Sequence, residues 1–319
     1  MTEKRFHPKR RITAATVCLL TLFLLLLLLK NPSVAAEALG HSLLLCARTI
    51  LPALFPFMVL SELLIAFGFG EVLGKSLARP LSLLLGISRE GGAAVFLGFL
   101  CGFPVGARMA LSLYDKGRIS KGECERLLGF SNLPSIAFLV SAVGASLYQN
   151  RNFGVLLWLS CMFSSIAVGV VTRKKGVPHT DTPPTFVSPS PAKAFTLAIT
   201  SATTAILSIC AYILFFGTIL ACLSRVLTAF SLPESINALL YGFFELSSGV
   251  EAAASIHVRP LSVLLCALSV GWSGLSIHCQ LMTLCDGRGL SLRFYFRARA
   301  AQALLCALLT LILSPFCLT

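Results

Sequence analysis

From Phe195 to Leu223 the chain runs without a single charged residue, and comparable apolar stretches recur along most of its length. About 20 mostly apolar helical residues suffice to cross a hydrocarbon layer about 30 Å thick. Further stretches run from Ile12 to Leu29, His41 to Phe69, Gly92 to Leu113, Leu127 to Leu147, Phe153 to Val171, Ile236 to Ile256, Leu261 to Cys285 and Ala298 to Leu318. With 319 residues, 56% hydrophobic and 12% charged, and a mean hydropathy of +0.86, the chain carries more apolar side chain than one soluble core could cover. The fold class is therefore all-α: a polytopic membrane protein of about eight to ten transmembrane or re-entrant helices.

The formal net charge of +13 does not point to a nucleic-acid partner, because Lys and Arg sit mainly in short links between apolar runs. There they meet anionic lipid headgroups and set orientation. The 12 cysteines lie, Cys124 apart, in or at the ends of apolar runs with no CxxC pair, so they read as small hydrophobic residues. No metal site and no cofactor is expected. Lys4, Arg5, Lys9, Arg10 and Arg11 precede the first apolar run, which is long and lacks a clear small-residue cleavage site, so a retained span is expected rather than a removable signal.

Between Val72 and Ile87 the apolar segment is short and carries Lys75, Arg79 and Pro80, as a surface or re-entrant helix would. Arg173 to Lys193, rich in Pro, Ser and Thr, is a solvated linker. The chain then divides into residues 1–40 (basic N terminus and first helix), 41–172 (first membrane repeat), 173–193 (linker) and 194–319 (second membrane repeat). Two comparable halves suggest duplication, with the repeats taken as inverted. Each half has a span interrupted by small residues, Gly102-Phe103-Pro104-Val105-Gly106 and Gly271-Trp272-Ser273-Gly274. Both spans leave through similar turns, Asp115-Lys116-Gly117-Arg118 and Asp286-Gly287-Arg288-Gly289. If the repeats are inverted and those turns correspond, one basic turn lies on the wrong face, so the topology stays open.

A helix unwound in hydrocarbon frees backbone N–H and C=O groups at several kcal/mol each, so breaks persist where protein, water or ligand satisfies them. Half-helix N-terminal ends then favour anions, and free carbonyls favour cations. The breaks at Gly102, Pro104, Gly106, Gly271 and Gly274 fit such a site, although glycine and proline also serve close packing. Arg108 is the first candidate anion contact; the alternatives are snorkelling or a structural bond to Glu245 or Glu90. Ser273, Ser276, His278 and Gln280 supply polar groups after the second break, and Asn132 is either a ligand or a helix cap. Glu245 is an intramembrane carboxylate beside Ser247 and Ser248, deeper than Glu251, which six residues on does not share its helix face, and Glu62 is a further intramembrane carboxylate whose place relative to these stays open. No HExxH, GxSxG, Walker or Rossmann pattern occurs, so an enzyme is not expected.

At Gly102-Phe103-Pro104-Val105-Gly106-Ala107-Arg108, Gly242-Phe243-Phe244-Glu245 and Trp272-Ser273-Gly274-Leu275-Ser276-Ile277-His278, the sequence resembles the sporulation integral membrane protein YlbJ (stage V sporulation protein V) family. That family falls in the nucleoside-recognition or Gate group related to concentrative nucleoside transporters. The resemblance covers roughly Leu45 to Leu311 and departs from the pattern around Ser131-Asn132-Leu133-Pro134, where a more Asn-rich turn is expected. It implies a transporter that moves dipicolinate, an anionic aromatic dicarboxylate, across the outer forespore membrane by alternating access. It also implies that Val72–Ile87 and Ile236–Ile256 are helical hairpins. Arg108, Asn132, Glu245, Ser273, Ser276 and His278 are the expected substrate-binding residues. A nucleoside-type transporter and a non-transporting assembly or signalling component of the spore envelope are the competing functions.

Overall fold

The computed structural model describes residues 8–67, 78–173, 190–227 and 233–316, so most of the basic N terminus, Val72 to Leu77 and most of the linker lie outside the described residues. Helix α1 (Pro8–Lys30) is followed by α2 (Pro32–Leu45), whose leading proline suits a first helical position. Through the π-helical turn Cys46–Ile50, α2 continues into α3 (Leu51–Ala66). The expected boundary at residue 40 falls inside α2. A short α4 (Ala78–Leu85) then meets α5 (Arg89–Cys101) at a bend of 101°.

Helices α5 and α6 (Val105–Asp115) fold back on each other. Glu90 in the first turn of α5 pairs with Arg118, just past α6, at 2.9 Å. Near the other end, a Cβ on Gly106 would lie 2.9 Å from the Gly98 Cα. The stretch from Gly92 to Leu113 is therefore a re-entrant hairpin and not a broken span, a correction to the sequence expectation. It reverses at Gly102 (φ +74°) and Pro104, where a positive φ and a missing N–H stop helix propagation. Of the hairpin that the resemblance implies at Val72–Ile87, Val72 to Leu77 lie outside the described residues, and α4 is the described remainder.

On the same face, α7 (Lys121–Phe130) starts from Ser120, whose Oγ accepts from the Glu123 N–H at 3.2 Å. Glu123 Oε1 in turn accepts from Ser88 N–H and Oγ–H at 2.7 and 2.6 Å, tying the start of α7 to the start of α5. After an extended break, the helix resumes as the π-helical α8 (Phe138–Leu147). Helix α9 (Arg151–Val171), capped by Asn150, returns to the first face. There Arg126 of α7 donates to the carbonyls of Leu85, Gly86 and Gly169 at 2.9, 3.0 and 3.4 Å.

The second half opens with the long α10 (Pro191–Leu227). Helices α11 (Glu234–Phe244) and α12 (Leu246–Ala254) form a second hairpin, with Gly242 and Gly249 in contact and Glu245 at the tip. Helix α13 (Arg259–Trp272) breaks at Ser273 into α14 (Gly274–Cys285), and α15 (Arg293–Leu313) completes the set. Tyr148 Oη lies 2.9 Å from Ser262 Oγ, so α13 starts where α8 ends. Arg288, past α14, pairs with Asp115 at 2.8 Å, so α14 ends where the first hairpin begins.

Each half thus carries a hairpin, a broken helix and an unbroken helix in that order, and the two sets cross the layer in opposite senses. The sequence pairing of breaks was out of step. Gly102–Gly106 is a hairpin tip and matches the tip at Glu245 in the order of elements, whereas Gly271–Gly274 matches the break after Phe130. The two similar turns are neighbours on one face, so these two do not conflict with each other under the orientation bias.

Large apolar side chains face outward: Leu19 and Phe23 on α1, Leu207 and Phe215 on α10, Leu304, Leu308 and Ile312 on α15. The interior meanwhile encloses Ser160, Ser164, Ser165, Gln302 and Thr310. Apolar exterior around a partly polar, small-residue interior is the packing expected when lipid is the solvent. Among the described residues, 5 helices are long and apolar enough to span a membrane, or 6 with the bent pair counted as one.

Candidate functional site

Each hairpin tip rests on the helix break of its own half. At the first, Phe103 N–H donates to Leu133 O at 2.7 Å, and a Cβ on Gly102 would lie 2.5 Å from Ser135 N. At the second, Trp272 Nε1–H donates to Phe243 O at 3.0 Å, and a Cβ on Gly274 would lie 2.8 Å from Leu246 N. Gly102 and Gly274 also have φ of +74° and +78°, so conformation and space both exclude a side chain.

The half-helices α7 and α13 end at this level, leaving carbonyls at the negative ends of their dipoles. Arg299 of α15 gathers them. Its guanidinium donates through Nη1 to Asn132 O at 2.7 Å, and through Nη2 to Gly271 O at 2.5 Å and Ser273 Oγ at 2.7 Å. Arg299 is fully buried, and the groups that accept from its guanidinium among the described residues are carbonyl and hydroxyl oxygens. Two half-helix ends from opposite halves of the chain thereby balance one buried charge.

In front of this brace, the starts of α8, α12 and α14 surround a cavity of about 50 Å³. Ser135, Glu245, Ser247, Ser276 and Gln280 give it polar groups, and Leu54, Phe103, Phe138 and Ile209 give it apolar walls. Among the described residues no lysine or arginine lines it. Glu245 already caps α12, its Oε2 accepting from Ser248 N–H at 2.7 Å. The space holds little more than a water molecule, far below the roughly 300 Å³ of a pocket that buries a small organic ligand.

Of the expected binding residues, Glu245 and Ser276 line the cavity. Asn132 and Ser273 stand behind it on Arg299, Asn132 through its backbone carbonyl, while its Nδ2 donates to Leu128 O at 2.7 Å. His278 points elsewhere: Nδ1 is 2.6 Å from Tyr295 Oη, and its ring packs against Trp272 and Phe296. Arg108 also lies apart, donating from Nη1 to Ser201 Oγ at 2.6 Å and to Glu62 Oε1 at 3.2 Å. This ties the first hairpin to α3 and α10 and gives Glu62 its place. Glu251 faces His41 at 3.6 Å.

Sequence reasoning missed Arg299 and Gln302, the latter donating to Gly129 O at 3.0 Å. The signal was there: Tyr295, Arg299, Gln302 and Cys306 recur at helical spacing on one face of an apolar run.

Opposed hairpins and two broken helices that meet at a small cavity, inside an apolar exterior, define a polytopic helical membrane protein. The chain is 27% identical to the sporulation integral membrane protein YlbJ of Bacillus subtilis (strain 168), over 95% of its own length and 83% of that protein's. Over nearly its whole length the chain is therefore similar to a sporulation integral membrane protein. No family model and no solved structure matches the chain.

Proposed function

We propose that this protein is a sporulation membrane transporter that moves dipicolinate across the outer forespore membrane by alternating access. The observation that carries the reading is the convergence of two hairpin tips and two helix breaks on one polar cavity, since unwound backbone in a membrane is retained where a translocated ligand uses it. The starts of α8, α12 and α14 offer positive dipole ends to an anion, and Phe103 and Phe138 offer ring faces to an aromatic. Lys116, Arg118, Lys121, Arg173 and Arg288 cluster at the face where the first hairpin enters, against Arg151 and Arg259 opposite, so that face is assigned to the mother-cell cytoplasm.

A cavity of about 50 Å³ cannot hold an aromatic dicarboxylate, so admission needs movement of a hairpin tip. Because Arg299 joins the two broken helices, opening is assigned to the hairpins and not to a parting of the halves. One observation favours a second reading. A lining of Ser, Gln and Glu without a cation also suits an uncharged, hydroxyl-rich ligand of nucleoside type.

The test is counterflow of labelled dipicolinate and labelled nucleoside in liposomes holding the purified chain. Dipicolinate exchange abolished by Gln280→Leu supports the first reading, and nucleoside exchange alone supports the second. No movement of either, with normal spore formation in a strain carrying Gln280→Leu, overturns both in favour of an assembly or signalling role.

A further inference from the structure

We infer that Glu245 is the proton-binding group that couples entry of an anionic substrate to uptake of a proton. The inference rests on the transporter reading and adds to it the ion that accompanies the substrate.

Glu245 sits at the tip of the second hairpin, is 3% exposed and lines the cavity. It takes part in none of the ion pairs among the described residues. Among the described residues the cavity lining brings no cation, and Arg299, behind the cavity, directs its guanidinium to Asn132 O, Gly271 O and Ser273 Oγ and not to Glu245. From the turn between α2 and α3 comes the Cys46 thiol, itself engaged with Cys210 of α10. Within its own hairpin, Tyr241 faces Ser224 of α10, and Glu251 is occupied by His41. From α14, His278 is turned toward Tyr295. Hairpin one and α8 contribute Phe103, Ser135 and Phe138 to the cavity and no charge.

A carboxylate so placed is stabilised, when the cavity is empty, by the Ser248 N–H and the start of α12. An anion entering the same cavity adds a like charge at close range in a medium of low dielectric constant. Ionised Glu245 and bound anion therefore exclude each other, and a proton on Glu245 removes the conflict while turning one carboxyl oxygen into a donor for the substrate's carboxylate. Linkage then requires that substrate and proton each strengthen the other's binding. The balance is simple: carboxylate, one proton and the dianion combine to a protonated Glu245 with the dianion bound, and both are released on the other side.

The direct measurement is calorimetric binding of dipicolinate to the purified, full-length protein in buffers of different ionisation enthalpy near neutral pH. Uptake of roughly one proton per molecule bound is expected, absent in Glu245→Gln and restored in Glu245→Asp. Dipicolinate binding without proton uptake in the wild-type protein overturns the coupling and leaves the transporter reading standing. If the wild-type protein does not bind dipicolinate, the substrate reading fails on its own. The proton site is then decided by infrared spectra of the ligand-free protein. A protonated-carboxyl band that titrates with pH and is lost in Glu245→Gln supports it, and no such band at any pH overturns it.

Discussion

Arg288, past the end of α14, grips Asp115 at the end of α6 in a two-pronged ion pair, Nε to Oδ1 at 2.9 Å and Nη2 to Oδ2 at 2.8 Å. The hydrogen bonds from Arg288 hold the Asp115 carboxyl below the usual carboxylate range. A group whose pKa is depressed by folding stabilises the fold above its ordinary value and ceases to do so as acid protonates it. The difference in unfolding temperature between wild type and Asp115→Asn should therefore be constant near neutral pH and shrink as acid takes the pH below the ordinary aspartate range of about 4. Thermal scans in detergent across that range check it.

The same ion pair predicts the topology. Cysteines introduced at Lys116 and Asp286 in a background without accessible thiols should both be labelled by a membrane-impermeant maleimide from one side of oriented vesicles. Cysteines at Gln149 and Ser255 should be labelled only from the other. Opposite-side labelling of Lys116 and Asp286 would overturn the packing of the two hairpin and broken-helix sets.

Why the spans were legible and the hairpins were not follows from what each depends on. Apolar length alone predicts α9, α10 and α15, because about 20 residues without charge have few other places to go. From Gly92 to Leu113 the length is the same, but a Gly-Phe-Pro break reads alike whether the chain continues or turns back. What decides is the pairing of Glu90 with Arg118, a contact between residues far apart in sequence. Arg299 was hidden for a related reason. At the start of an apolar run and beside Arg293 and Arg297, it looks like an interfacial cation, and only the meeting of Asn132 and Gly271 carbonyls shows it buried.

Replacing Arg299 should be among the most damaging single changes. Arg299→Ala strands two carbonyls in the interior and empties the volume of a large side chain, together costing about 3 kcal/mol or more. Arg299→Lys should rescue little, because one ammonium lacks the fork that reaches both half-helices. Expression level and unfolding temperature measure the loss; near wild-type stability for Arg299→Lys would show that one helix end suffices.

Gly274→Ala places a methyl group 2.8 Å from Leu246 N at a φ of +78°, so strain and overlap together should cost about 2–4 kcal/mol and push the second hairpin tip off its helix. Gly40, in α2 with nothing within 4 Å, is the control. Gly40→Ala should be neutral or stabilising by about 0.5–1 kcal/mol, since a helical glycine gives way to a better helix former. Unfolding temperatures of the pair separate a local steric effect from general sensitivity to added methyls.

Arg108 separates the sequence expectation from the structure most sharply. As a substrate contact, it should raise the KM for transport when removed. The structure instead has it holding Glu62 and Ser201, with the pair half-buried at 33% and 19% side-chain exposure, so its removal should cost stability of about 1 kcal/mol and loosen the first hairpin against α3 and α10. Arg108→Ala should therefore lower the unfolding temperature and change KM by less than about threefold, the double change with Glu62→Gln being less harmful than the sum of the two. A KM raised by about tenfold or more at unchanged stability would return Arg108 to the transport path, because a residue confined to the Glu62 pair has no means of discriminating bound from free substrate.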